Sequence, residues 1–309
     1  MRIVSLLPSA TEIVCALGLG DELVAVTHEC DWPPEIVGRP IVTRSSHDLT
    51  DASSARIHKL VTSSVHGGSS LYELDEEALA AAEPDLILTQ ELCRVCAVSY
   101  EQVNEVARRI DADITVVSLE PTSIEGIFNT ITTVGAMTEV EDSGIDLVES
   151  LRERLSAVER AVAARREGGH RPPRVVGLEW FDPPFAVGHW VPEQIRRAGG
   201  WDLLGADGER SSQTTWEAIR EVDPEMLVLM PCGFHLAETV VEWERTPVPE
   251  WYRELSAVGR GQVIAVDGSA YFSRPGPRII DGIELLAELF DPDAFVDIAP
   301  LGSWAPILS

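Results

Sequence analysis

A chain of 309 residues with 45% hydrophobic content is long enough to bury a large core and to divide into two domains. Its 51 acidic residues outweigh 24 basic ones, for a net charge of −27. Such a surface repels nucleic acid and anionic membranes, which excludes both as expected partners, and no run of about 18 apolar residues exists to span a membrane.

After Met1-Arg2 comes the short apolar stretch Ile3-Val4-Ser5-Leu6-Leu7, then Pro8-Ser9. This stretch falls short of the roughly 7–15 residues of a secretory core, so it reads as a buried first strand over residues 3–7. The expected location is therefore cytoplasmic, or extracytoplasmic if a leader has been removed. Lys59 is the sole lysine, and every other basic residue is arginine. The acid excess is of the halophilic type, because self-repulsion of this size is relieved where salt screens it.

Strands and helices alternate from there on. Ser9-Ala10-Thr11-Glu12 has the form of a capping box and predicts a helix that ends at Gly18 and Gly20. Residues 23–27 follow as a strand, 74–82 as a helix closed by Glu83-Pro84-Asp85, and 86–89 as a strand. Helices are expected at 99–110 and 123–137, with a strand at 115–118 between them. The segment 44–70, rich in Ser with His47, His58 and His66, carries no strong pattern and reads as a surface loop. Leu147, Leu151, Leu155, Val158 and Val162 recur at helical spacing and predict one long helix over 143–167, stopped by the Gly/Pro stretch 168–173.

The second half repeats this order. Strands are expected at 174–178, 226–230 and 262–266, and helices at 191–198, 216–222 and 278–289. Residues 79–90 and 219–230 echo one another: each is a helix end, an acidic-Pro-acidic turn and an apolar strand. Alternating strands and crossover helices define an α/β class with mainly parallel sheets, and the echo points to two Rossmann-like lobes of related topology. The expected division is 1–142 for the first lobe, 143–170 for the connecting long helix and 171–309 for the second lobe.

Parallel sheets bind ligands beyond the carboxyl ends of their strands. In the first half that rule selects Pro8 and Ser9, His28-Glu29-Cys30, and Gln90-Glu91-Leu92-Cys93. In the second half it selects Trp180 and Phe181, Cys232-Gly233-Phe234-His235, and Tyr271-Phe272-Ser273-Arg274. Phe185 and Trp190 flank a neighbouring loop. Aromatic residues crowd the second set, as suits a ligand with broad apolar faces, and Arg274 offers a partner for a carboxylate or amide.

Five cysteines are present: Cys15, Cys30, Cys93, Cys96 and Cys232. An odd number spread over a long chain is not a disulfide framework. Cys93-Arg94-Val95-Cys96 falls at a strand exit, where a helix start stabilises thiolates. With Cys30, His28 and Cys232 it forms a candidate ligand set for zinc, an iron–sulfur cluster or the metal of a bound tetrapyrrole. The alternative function is accordingly an intracellular metal- or cluster-binding redox protein using Cys93 and Cys96. No nucleophile elbow, phosphate loop or zinc-protease motif occurs, so an enzyme is not expected.

Several stretches resemble a known family. Arg2-Ile-Val-Ser-Leu-Leu-Pro-Ser-Ala-Thr-Glu-Ile13, Thr27-His28-Glu29-Cys30-Asp31-Trp32-Pro33, Glu83-Pro84-Asp85-Leu86-Ile87, Pro183-Pro184-Phe185 through Gly199-Gly200, and Ser273 through Ile279 are similar to the helical-backbone substrate-binding proteins. These serve ABC importers of cobalamin, siderophores and haem, and the second stretch looks like their cobalamin-binding branch. The resemblance implies two α/β lobes joined by one long rigid helix, with the ligand in the cleft between them. It implies a corrinoid or other metal chelate as cargo, with Trp180 and Tyr271 as aromatic walls, and an ABC permease as partner, met by Glu77 and Glu217. Gln90 departs from the family pattern, since it stands where that branch carries an aromatic wall.

Overall fold

The computed structural model describes residues 1–47, 49, 52–67, 71–90 and 100–308. The chain forms two compact units. The first holds Met1–Ala52, Arg56–Pro121 and Gly126–Glu149, and the second holds Ser53–Ala55, Thr122–Glu125 and Ser150–Ser309.

The first unit is built on β1 (Ile3–Ser5), β2 (Leu23–Val26), β5 (Leu86–Thr89) and β6 (Thr115–Ser118), in the order β2-β1-β5-β6. All the pairings are parallel. The central strands β1 and β5 are buried along their whole length, as expected for mainly apolar strands inside a parallel sheet. Val4, Leu6, Ala25, Leu79, Ile87, Val103 and Val106 form one core cluster, in which each fully buried branched side chain contributes about 1.5–3 kcal/mol. The helices of this half are α1 (Pro8–Ala16), α2 (Ser54–Gly67), α3 (Glu76–Ala81), α4 (Tyr100–Ile110) and α5 (Ile124–Met137).

Three expectations change here. First, the Ser9–Glu12 capping box does not form. The helix begins two residues earlier, at Pro8, with Leu7 rather than Ser9 in the capping position and no side-chain cap. Proline at the first helical position has no N–H to satisfy and arrives with its φ already set. Second, the helix expected over 74–82 starts later, at Glu76, and Leu74 belongs to a strand. That strand is β4 (Tyr72–Leu74), antiparallel to β3 (Thr43–Ser45), and Asp75 then caps α3 by accepting the Ala78 N–H at 2.9 Å. Third, the supposed loop 44–70 contains β3 and the 14-residue helix α2.

The long helix is α6 (Glu141–Glu167), 27 residues and about 40 Å in length. The division between the units falls inside it, between Glu149 and Ser150. Its second half buries Leu151, Leu155 and Val158 and carries a row of arginines paired with acids of the second unit. Arg152 meets Glu125, Arg154 meets Glu284 and Asp281, and Arg165 meets Asp291 at 2.6 Å.

The second unit holds a seven-stranded sheet. Its parallel centre is β7 (Arg174–Phe181), β11 (Met226–Leu229) and β12 (Val263–Val266). β8 (Pro184–Ala186) and then β10 (Ser212–Gln213) add antiparallel strands on one side, and β13 (Trp304–Pro306) adds one on the other. β9 (Trp201–Asp202) pairs with the start of β7. The helices are α7 (Val191–Arg197), α8 (Trp216–Val222), α9 (Leu236–Arg245), α10 (Ser256–Gly259), α11 (Gly268–Tyr271) and α12 (Ile279–Phe290). The core gathers Val176, Leu178, Phe181, Leu227, Leu229, Trp243 and Tyr252. The sequence echo extends to the backbone: Glu83 and Asp223, each preceding a proline, both take positive φ, 43° and 39°. No helix among the described residues is long and apolar enough to cross a membrane.

Candidate functional site

The richest arrangement lies in the second unit, where β7, β11 and β12 are neighbours and all end on the same side. Each exit supplies one half-buried aromatic: Trp180, Phe234 and Tyr271. Trp180 stands edge-on to Phe234, with ring centroids 5.8 Å apart and an interplanar angle of 80°, a geometry that the ring quadrupoles favour.

The exits are tied to one another. Asp267 caps α11 through the Ala270 N–H at 2.8 Å and also takes His235 Nδ1 at 3.0 Å. The Ser269 N–H donates to the Phe234 carbonyl at 2.9 Å. Gly268 allows this closure, because a Cβ there would lie 2.4 Å from the Pro231 carbonyl oxygen. The Cys232 N–H reaches back to the Glu179 carbonyl at 3.1 Å. Tyr271 is held from behind by α7, where Gln194 donates to its carbonyl at 3.1 Å and to that of Ile279 at 2.9 Å. The guanidinium of Arg278 lies 5.8 Å from the centre of the Tyr271 ring.

Glu179 occupies an irregularity in the β7–β8 register. Its carboxylate accepts the Gly188 N–H at 3.2 Å. Burial pushes this carboxyl up, against the opposing pull of its bonds from Ser211 and Gly188. Nearby on β9, burial pushes Asp202 up to about 6 although the Gly205 N–H donates to it at 2.7 Å. Both acids fasten loops beside β7 through backbone N–H groups.

The first unit presents a different surface at its strand exits. Thr43 Oγ1 lies 2.7 Å from both Thr27 Oγ1 and His28 Nδ1. His28 Nε2 is 3.3 Å from Glu29 Oε1, and the His28 ring leans on Tyr72 with centroids 5.0 Å apart. Thr11 Oγ1 sits 3.0 Å from Cys30 Sγ. Gln90 is half-buried at the end of β5, and Pro8 is half-buried at the start of α1.

Not every residue chosen from the sequence reaches a surface. Phe181 is 1% exposed and packs edge-on against Trp243 at 5.1 Å, so it belongs to the core. Successive strand residues point to opposite faces, so Trp180 and Phe181 were never able to line the same site. That alternation was legible in the sequence. Trp190 is 5% exposed and donates its indole N–H to the Phe272 carbonyl at 2.9 Å, a structural role. Ser9 and Arg274 are also buried, at 3% and 8% exposure. Phe185 is half-buried on β8, opposite Trp180. Glu77 and Glu217 are exposed in the first turns of α3 and α8.

Glu91, Cys93 and Cys96 lie outside the described residues. Among the described residues, no group of three or more His, Cys, Asp or Glu side chains is arranged to hold a metal ion. The expected convergence of His28, Cys30 and Cys232 on one ion is therefore not found there. Cys30 and His28 are engaged by threonines, and Cys232 is exposed in the other unit.

Two α/β units with ligand-ready strand exits define a class of binding proteins. Residues 3–270 match the periplasmic binding protein family, and the chain belongs to it. By family it is a binding protein rather than an enzyme. It is 26% identical over 304 residues to an ABC transporter substrate-binding lipoprotein of Bacillus subtilis, covering 95% of this chain and 81% of that one. It is 24% identical over 286 residues to a vitamin B12-binding protein of Vibrio cholerae, covering 92% and 86%. A periplasmic heme binding protein of Pseudomonas aeruginosa shares the fold, with a TM-score of 0.70, 18% identity and coverage of 100% and 98%.

Proposed function

We propose that this chain binds a corrinoid of the cobalamin type, or a related metal chelate such as haem, and delivers it to an ABC permease. The observation that carries the reading is the aromatic trio at adjacent strand exits, Trp180, Phe234 and Tyr271. A flat macrocycle offers apolar faces that such rings desolvate, while a few polar groups fix its orientation. The vitamin B12-binding and heme-binding proteins among its relatives and structural neighbours support the same cargo class. Phe185 extends the apolar surface, and Pro8, His28 and Gln90 stand at the corresponding exits of the first unit. The lipoprotein and periplasmic proteins it resembles support an extracytoplasmic location.

Titration of the purified protein with cyanocobalamin, haemin and ferric siderophores, followed by absorbance, tests the cargo. Saturable binding of cyanocobalamin or haemin at micromolar concentration or tighter is expected. Absence of binding to all three would end the proposal.

Glu77 and Glu217 are the proposed contacts with arginines of the permease. Their exposure in the first turns of two helices leaves both carboxylates accessible. Glu77→Arg combined with Glu217→Arg is expected to abolish uptake in cells and to leave cargo affinity unchanged. Normal uptake by the double variant would exclude the docking role.

A further inference from the structure

We infer that Glu242 is a positioning residue for the ligand-facing wall: through the Ser54 backbone it sets the orientation of the Trp180 indole. The inference rests on the proposed role of Trp180 as a wall residue, and it adds a residue that neither strand-exit logic nor family likeness selects.

Glu242 sits on α9 and is 2% exposed. A carboxylate that deeply buried needs strong partners. One oxygen, Oε1, accepts the backbone N–H of Ser54 at 2.6 Å. The other, Oε2, lies 3.6 Å from Arg245 Nε. Ser54 is the first residue of α2, so its N–H has no acceptor within the helix. The positive end of the helix adds to the attraction for a carboxylate. Glu242 thus supplies, from a distant part of the chain, an acceptor for the first N–H of α2.

The same residue has a second bond in the opposite direction. The Ser54 carbonyl accepts the Trp180 indole N–H at 3.2 Å. Both polar groups of one backbone residue are therefore held by side chains, one from α9 and one from β7, and all three residues lie within the second unit. Two contacts hold the Trp180 ring, the Ser54 carbonyl on its indole N–H and the edge-type packing with Phe234. Releasing the Ser54 N–H frees the start of α2. The indole N–H then loses a fixed acceptor, and the ring loses its preferred tilt.

Binding of cyanocobalamin and of haemin is measured for Glu242→Ala, Glu242→Gln, Trp180→Phe and the Glu242→Ala/Trp180→Phe pair. The glutamine carbonyl still accepts the Ser54 N–H, whereas phenylalanine keeps the ring and loses the indole donor. Glu242→Ala is expected to weaken binding about tenfold. Glu242→Gln should stay within about twofold of wild type. In the Trp180→Phe background Glu242→Ala should add less than about a factor of two, because the two residues act in series. Additive losses overturn the inference, and so does a glutamine variant as weak as the alanine one. Should Glu242→Ala not accumulate as folded protein, Ser54→Pro removes the donor from the other side, at a helix position that tolerates proline. It carries the same expectations.

A readout independent of cargo separates this inference from the function proposed above. In protein labelled with 5-fluorotryptophan, the Trp180 fluorine resonance is assigned by its loss in Trp180→Phe. Glu242→Ala should shift it and Glu242→Gln should not. An unmoved resonance overturns the positioning role even if cargo binds. A shifted resonance in a protein that binds neither cyanocobalamin nor haemin upholds the positioning and removes only the cargo assignment.

Discussion

The strand exits of the two units are built from opposite materials. Among the described residues of the first unit the side chains are polar: Thr27, Thr43 and His28 are hydrogen-bonded, Glu29 stands beside His28, and Thr11 lies against Cys30, while His28 Nε2 and Thr89 Oγ1 have no hydrogen-bond partner. In the second they are aromatic and half-buried, and the hydrogen bonds behind them join backbone and capping groups that hold the rings in place. The contrast teaches where binding energy can come from. A polar surface mostly exchanges bonds with water for bonds with a ligand, whereas a half-buried ring gains what it removes from water.

The sharpest way to break this comparison uses two adjacent residues of β7. Phe181→Ala opens a cavity against Trp243 and should cost about 3–5 kcal/mol of stability, read by chemical or thermal denaturation. A loss below about 1 kcal/mol would contradict its place in the core. Trp180→Ala should do the reverse, leaving stability nearly intact and weakening cargo binding by about 2–3 kcal/mol, because wall aromatics are typical hot spots. If both variants lost stability and affinity together, the distinction between wall and core would fail.

A pH measurement probes the loop supports beside that wall. Asp202, pushed up to about 6 by burial from a usual 3.8, binds its proton more tightly folded than unfolded. The sign follows: the fold gains from the neutral acid at low pH, and that gain is lost as pH rises from about 4 to about 6. Asp202→Asn removes the charge while keeping an acceptor for the Gly205 N–H. Above pH 6 it should be more stable than wild type by up to about 3 kcal/mol, with the difference shrinking toward pH 4. A difference independent of pH would show that Asp202 is not a buried carboxyl of this kind.

The smallest effect is expected in the first unit. His28→Ala breaks bonds to Thr43 and Glu29 but removes no apolar wall. It should weaken cargo binding by less than about 0.5 kcal/mol. A loss of tenfold or more would move the binding energy to the first unit and reverse the comparison.

Some of this was written in local sequence and some was not. The parallel strands announced themselves as short apolar runs, and residues 86–89 and 115–118 fold as strands with the boundaries read from the sequence. The Glu83-Pro84 and Asp223-Pro224 turns even share a left-handed backbone, because both places demand the same abrupt exit from a helix. Helix α2 stayed hidden for the converse reason. Its Ser, Thr and His residues give a weak apolar stripe, and the acceptor for its first N–H comes from Glu242, which is remote in the chain. Trp180 could be found from its strand exit alone, but its partners Ser54 and Phe234 come from a distant segment and a neighbouring loop.

The sequence by itself determined the class of fold, the long helix, the acidic surface and the places where strands end. These depend on periodicity, turn residues and charge, which act over a few neighbouring positions. Only the tertiary structure decided which aromatics face outward, that Phe181 and Trp190 are interior, and that a buried glutamate on α9 caps a helix begun well over a hundred residues earlier. Such choices are made by packing and by the need of every buried polar group for a partner, and neither is encoded in adjacent residues.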